Sequence, residues 1–167
     1  NASGVIPQIT AVFGNCGGGT ALIPALTDFT FMTSEGSKLF VNSPNALAGN
    51  NSTKLDTASA EYLSNNTSLV DDVCEDDVAV LTQIRTLVNM LPSNNQVDAS
   101  SECNDDLNRI IPNLDGFVKD GRAVLQNIAG NNVFFEVNKN FAKDIVIGFI
   151  KLNGDTVGCV ANQVEGG

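Results

Sequence analysis

The strongest period along the chain is helical. Val78, Leu81, Ile84, Leu87, Val88 and Leu91 recur at helical spacing and Pro92 follows them, so the pattern predicts a helix ending there with these six residues facing inward. Asp71, Asp72, Glu75, Asp76 and Asp77 precede it and are expected to cap its first amides. They lack the Asp-x-Asp-x-Asp-Gly order of a calcium loop. A second helix is predicted over 121–129, with Val124, Leu125 and Ile128 inward and Gly130 as its stop. Residues 59–63 read as a shorter one.

β-branched and aromatic runs predict strands over 5–13, 29–32, 38–41 and 133–137, with a short extended piece at 68–71. Two better strands, 145–152 and 156–161, flank Asn153-Gly154, a strong hairpin-turn signal. Ser34-Glu35-Gly36-Ser37 is a loop, and Asn42-Ser43-Pro44 signals a turn and a helix entry. Residues 45–57 are polar and Asn-rich, a mobile loop with a brief helix. Residues 93–102 read as a linker, and Leu107, Ile110 and Ile111 as a short amphipathic turn before Pro112.

The chemistry-bearing stretch is Gly14-Asn15-Cys16-Gly17-Gly18-Gly19-Thr20, set between the first strand and the apolar, helix-opening Ala21-Leu22-Ile23-Pro24-Ala25-Leu26. A strand, a glycine run and a helix start present bare backbone N–H groups to a ligand. A phosphate-binding loop would place Lys after Gly19, where Thr20 stands, and the G-x-G-x-x-G fingerprint is absent. Two readings remain: an oxyanion site, whose amides stabilise charge developing on a carbonyl oxygen, and a close-packed turn without chemistry. Cys16 is either a thiol activated by the helix start or a small residue in a tight space.

Charge and cysteine usage narrow the classes. Nine basic against nineteen acidic residues give a net charge of −10, which argues against nucleic acid and anionic membranes as partners. The 167 residues suffice for one domain or parts of two, and no apolar run approaches bilayer length. There is no His, so Ser-His and Cys-His catalysis within this chain is excluded. Cys16, Cys74, Cys103 and Cys159 are widely spaced, which speaks against a metal site and suits a cytoplasmic, reducing compartment. Without an initiator Met, the chain is expected to be a piece of a longer polypeptide.

Several blocks in fixed order then carry a resemblance across nearly the whole chain. They are Gly4-Val5-Ile6-Pro7-Gln8-Ile9, Gly14-x-Cys16-x-Gly18-Gly19, 24–32 (PALTDFTFM), Leu91-Pro92, 104–112 (NDDLNRIIP), Phe134-Phe135-Glu136, 141–149 (FAKDIVIGF) and Asn153-Gly154-x-Thr156-Val157-Gly158. Together they resemble the carboxyltransferase (beta-type) subunit of biotin-dependent acyl-CoA carboxylases and decarboxylases. This is the family of propionyl-CoA carboxylase and of methylmalonyl-CoA and glutaconyl-CoA decarboxylases.

The resemblance implies an α/β, crotonase-like (ClpP/crotonase) ββα spiral, present in part. Residues 1–92 would be the second half of the N-terminal acyl-CoA-binding domain, 93–116 a linker, and 117–167 the start of the C-terminal biotin-binding domain. It implies carboxyl transfer between carboxybiotin and a short acyl-CoA through an enolate. Gly18 and Gly19 would supply the backbone oxyanion hole, and Cys16, Gly17 and Thr20 would line the substrate site, with no metal. The stabilised oxygen is either that of the thioester enolate, the favoured reading, or the biotin ureido oxygen.

The partners implied are a biotin carboxyl carrier protein with biotin carboxylase or a membrane decarboxylase subunit, within a homo-oligomer of the full-length chain. Many family members carry G-G-A-x-x-H and S-G-x-x-H patterns where this chain has Ser59-Ala60-Glu61-Tyr62-Leu63-Ser64 and Ser68-Leu69-Val70-Asp71-Asp72. The isolated piece is expected not to turn over. The alternatives are a non-catalytic crotonase-like interaction module and another crotonase-type acyl-CoA enzyme.

Overall fold

The computed structural model describes residues 2–43, 56–98, 100–106, 108–112, 114–117 and 119–164. The expected helix entry at Pro44, most of the Asn-rich loop and Leu107 fall outside these residues. Two compact units are present: Pro7–Arg85 with Asn1–Ser3, and Thr86–Gly167 with Gly4–Ile6.

In the first unit, β1 (Ile9–Val12) pairs in parallel with β3 (Phe29–Thr33), and β3 with β5 (Asp72–Cys74). Between β1 and β3 the chain makes β2 (Asn15–Gly17), a 3-10 turn (Gly18–Ala21) and α1 (Leu22–Leu26). β2 pairs in parallel with β4 (Lys38–Phe40). On its other side, Lys38 of β4 bridges Ser59, which caps α2 (Ala60–Asn66) through the Tyr62 N–H. Central strand β3 is buried from Thr30 to Thr33, as a strand covered on both faces must be. Val12, Ala21, Met32, Leu39, Ala60, Leu63 and Val70 close the core over one face.

The first strand is shorter than the apolar run suggests. Val5 and Ile6 are exposed and pairing begins only at Ile9, past Pro7, which has no N–H to give a ladder. The extended piece expected at 68–71 lies further on, as β5. Hence the acidic run does not act as one cap. Asp71 accepts the Thr30 N–H at 2.7 Å, Asp72 is buried in β5, and Asp76 accepts a first-turn amide, that of Ala79, at 2.7 Å.

α3 (Asp77–Met90) is the predicted long helix, but its buried residues are Val80, Leu87 and Met90, while Val78, Leu81 and Val88 are exposed. Apolar residues occupy two adjacent stripes of this helix, and periodicity alone does not select between them.

In the second unit, β6 (Phe134–Val137), β7 (Ile145–Leu152) and β8 (Asp155–Asn162) form an antiparallel sheet in that order. α4 (Gly121–Ile128), capped by the Asp120 side chain, packs Leu125 and the adjoining Ala129 on Val146 and Ile150. Gly130 follows the helix, but the left-handed residues of its stop are Asn131 and Asn132.

Ile110, expected on an apolar face, is 90% exposed. Its segment is held instead by Arg109, whose guanidinium donates to the carbonyls of Asn127 and Ala129 at 2.7 and 2.9 Å and pairs with Asp105. A cation on the last carbonyls of α4 satisfies groups that have no partner within the helix. Arg109→Ala should destabilise this unit by about 2–3 kcal/mol, read as faster hydrogen exchange at the α4 amides. Arg109→Lys, lacking the two-pronged fork, should recover only part.

The Lys38–Asp56 ion pair ties β4 to the segment before α2, and Lys38 holds the Asp56 carboxyl below its ordinary range. Because the folded-state pKa is depressed, the contribution is complete above the unfolded value near 4 and is lost as pH falls below it. Both side chains are about two-fifths exposed, 44% and 41%, so the expected effect is under ~1 kcal/mol. Denaturation midpoints at pH 7 and 3 should converge for the wild type and Asp56→Asn as pH falls.

Candidate functional site

The glycine stretch forms a sharp corner. β1 ends at Val12, the chain bends through Phe13 and Gly14, and β2 leads into the 3-10 turn. Gly17 is extended (φ −124°, ψ 159°) and caps the turn, while Gly18 is left-handed at φ 65°. Only glycine takes that conformation without strain. Gly18 and Gly19 are the first two residues of the turn, so their amides have no partner within it. Among the described residues, nothing lies within 4 Å of where a Cβ on either would stand.

The neighbours of the corner are arranged to hold it rather than to react. The Thr20 hydroxyl donates to the Gly17 carbonyl at 2.7 Å. Cys16 packs against the core, its Sγ 3.9 Å from the Thr20 hydroxyl oxygen. The Phe40 ring covers Gly17 from the other side: a Cβ there would sit 2.7 and 2.8 Å from Cε2 and Cζ. Asp28 orders the far end of the crossover, accepting the Gln8 N–H at 2.8 Å, and the Pro24 carbonyl takes the hydroxyls of Thr27 and Thr30.

The predicted site residues Cys16, Gly17, Gly18, Gly19 and Thr20 are therefore contiguous in space, and the amides of Gly18 and Gly19 are their chemical resource. A carbonyl oxygen gaining negative charge is the group such donors stabilise. Other features lie apart. Among the described residues no cluster of three His, Cys, Asp or Glu side chains is placed to hold a metal ion. All four cysteines are free thiols, and burial pushes the Cys159 thiol up. A cavity of about 260 Å³ in the second unit, reaching Met90, Cys103, Lys151 and Gly154, contains none of the predicted site residues.

Comparison with known proteins bears on the whole chain. The family model described as "Carboxyl transferase domain" matches residues 1–167. The propionyl-CoA carboxylase beta chain of Roseobacter denitrificans is 39% identical over 176 residues, covering 97% of this chain and 34% of that protein. The mitochondrial beta chain of Rattus norvegicus is 38% identical, covering 97% and 32%. The methylmalonyl-CoA decarboxylase subunit alpha of Propionigenium modestum is 35% identical, covering 98% and 34%. The chain thus spans about a third of the length of the curated relatives it matches.

Among solved structures, a transcarboxylase 12S hexamer with hydrolysed methylmalonyl-coenzyme A bound superposes with a TM-score of 0.81 at 33% identity. It covers 97% of this chain and 33% of that one. A second 12S structure, holding methylmalonyl-coenzyme A and methylmalonic acid, gives 0.80. The fold is accordingly a partial α/β crotonase-like one, as in these neighbours. With the carboxyl transferase domain model matching residues 1–167 and beta-chain relatives matching over 97% of its length, the chain belongs to the carboxyl transferase domain family.

Proposed function

We propose that this chain supplies the acyl-CoA half of a biotin-dependent carboxyltransferase site, with the Gly18 and Gly19 amides as its oxyanion hole. The observation that carries the reading is the corner itself: left-handed Gly18, Gly19 beside it, both at the start of the 3-10 turn, and no described atom within 4 Å of where a Cβ on either would stand. The relatives' activities on propionyl-CoA and methylmalonyl-CoA support a short acyl-CoA as substrate.

Loss of the α-proton of a thioester, which biotin would accept once it has given up its carboxyl group, moves charge onto the carbonyl oxygen, and that oxygen is the one we assign to the two amides. The donors are fixed by the backbone, so they need no reorganisation as the charge appears. Thr20 and Cys16 position the turn and are not bases: the Thr20 hydroxyl donates to Gly17, and Cys16 packs against the core with its thiol beside that hydroxyl.

Biotin, carried by a partner protein, supplies a carboxyl group activated for transfer. Two backbone N–H donors are chemically suited to a ureido oxygen as well as to a thioester oxygen, and the Cβ positions of Gly18 and Gly19 meet no described atom within 4 Å.

The domain reading assigns 1–92 to the acyl-CoA-binding domain, 93–116 to a linker and 117–167 to the start of the biotin-binding domain. Residues 93–116 have no α-helix or strand among those described, and Ser101 and Arg109 tie this stretch to the second unit. Carrier protein, biotin carboxylase or membrane decarboxylase subunit, and a homo-oligomer of the full-length chain complete the proposal. Free thiols suit a reducing compartment such as the cytoplasm. Among the described residues no helix is long and apolar enough to cross a membrane.

The test is carboxyl exchange by the full-length polypeptide between a carboxylated biotin carrier and short acyl-CoAs. Labelled carboxyl should appear in the acyl-CoA. Absence of exchange together with enoyl-CoA hydration or thioester hydrolysis would replace this reading with another crotonase-type activity.

A further inference from the structure

Gly17 and Phe40 stand opposite one another in the parallel pairing of β2 and β4, 23 positions apart in the chain. The ring of Phe40 folds back over the Gly17 Cα, so closely that a Cβ would lie 2.7 Å from Cε2 and 2.8 Å from Cζ. Real Cβ atoms do not approach aromatic carbons to that distance, so the ring occupies the space that glycine leaves. Gly17 is also the residue from which the turn starts: its extended backbone precedes left-handed Gly18, and its carbonyl takes the Thr20 hydroxyl. The Gly18 N–H shares a peptide plane with the Gly17 carbonyl, so Gly17 orients it directly and reaches the Gly19 N–H through left-handed Gly18.

What holds Phe40 is itself well anchored. Leu39, next to it, is buried in the core, and its N–H donates to the Ala58 carbonyl at 3.0 Å. Lys38 donates its N–H to Gly14 at 3.1 Å, bridges Ser59 and pairs with Asp56. β4 is thus fixed between the glycine stretch on one side and the entry to α2 on the other. Its last side chain bears on the corner.

We propose that Phe40 is a positioning residue for the oxyanion turn. Its ring, seated on Gly17, fixes the aim of the Gly18 and Gly19 amides, and Gly17 is glycine in order to receive it. The proposal rests on the function argued above. It adds a residue that touches neither substrate nor reacting atoms and acts through the turn. A looser corner would weaken donation to the charged transition state more than binding of CoA, so kcat should fall while KM for the acyl-CoA stays nearly constant.

The experiment uses the full-length polypeptide, with carboxyl-exchange kinetics and thermal unfolding measured on each variant. Phe40→Leu should lower kcat by roughly tenfold or more with KM within about twofold, and Phe40→Tyr, which keeps the ring, should retain kcat within about threefold. Gly17→Ala should lower kcat through the clash, and Gly17→Ala/Phe40→Leu should be better than Gly17→Ala alone, because the smaller side chain makes room. Val80→Ala, a core change in α3, should lower Tm and leave kcat near wild type.

Wild-type kcat in Phe40→Leu, or loss of kcat that tracks Tm across Val80→Ala and Phe40→Leu alike, overturns the proposal. So do strictly additive effects in the double variant. If Gly19→Val is itself fully active, the oxyanion assignment has failed. If Gly19→Val is inactive while Phe40→Leu is fully active, only the role of Phe40 has failed.

Discussion

Gly19→Val in the full-length polypeptide is expected to lower kcat/KM for carboxyl transfer about 10²- to 10³-fold, the loss typical of disabling a preorganised oxyanion donor. The substitution is informative because nothing in the described structure forbids it. Gly19, unlike Gly18, is not left-handed, and a Cβ on it meets no described atom within 4 Å. The first side-chain atom therefore has room within the chain, and the branched valine adds bulk beside the amide. Its effect should appear in turnover while Tm changes little. Calorimetric binding of CoA itself, which lacks the reacting carbonyl, should persist. Activity within about threefold of wild type would remove the amides of this corner from the mechanism.

Gly18→Ala is the less clean companion. A left-handed alanine costs roughly 1 kcal/mol before any chemistry is considered, so its loss of rate would mix strain with blocked donation.

The largest stability effect is expected at Gly154. Asn153 and Gly154 form the β7–β8 turn with φ of 51° and 87°, so any side chain at Gly154 is strained. The Gly154 carbonyl also takes the Ser101 N–H at 3.0 Å, and a Cβ there would run into the backbone oxygen of Ser101. A clash with a backbone atom cannot be relieved by turning a side chain. Gly154→Ala should cost about 2–4 kcal/mol, from strain and overpacking together. That is a large share of the 5–15 kcal/mol that typically separates folded from unfolded domains.

Hydrogen exchange should quicken along β7 and β8, and Ser101 should lose its protected amide. If Gly154→Ala left both as protected as in the wild type, the close approach of Ser101 would not contribute to stability. Asn153→Gly, which keeps the turn and avoids Ser101, should cost far less.

Much of this fold was legible because its signals are local. Asn153-Gly154 between two β-rich runs dictated a hairpin, and the observed register from Ile145↔Asn162 to Leu152↔Asp155 is the one that turn requires. The spacing of Val124, Leu125 and Ile128 marked α4, whose Asp120 cap the structure added. The long helix was visible from its spacing and from Pro92, yet its inward face was not. Val80 and Met90 are buried where Val78 and Val88 had the better claim by periodicity. A helix with apolar residues around more than half its circumference has no preferred face until a neighbour packs on it. Likewise Asp71 and Asp72 looked like cap residues in sequence, and pairing of β5 with β3 drew them into the sheet.

The candidate site divides along the same line. The amino-acid sequence by itself determined that a strand would run into a glycine corner and then a helix, and that no histidine chemistry could occur in this chain. It also carried the blocks that mark the family, because glycine content and local order depend only on adjacent residues. Tertiary structure alone decided that Asn15–Gly17 would be a strand, that Phe40 would lie on Gly17, and that Cys16 would face the core. These are pairings across 23 positions, set by where β4 is anchored, and steric fit between distant segments leaves no periodicity in either of them.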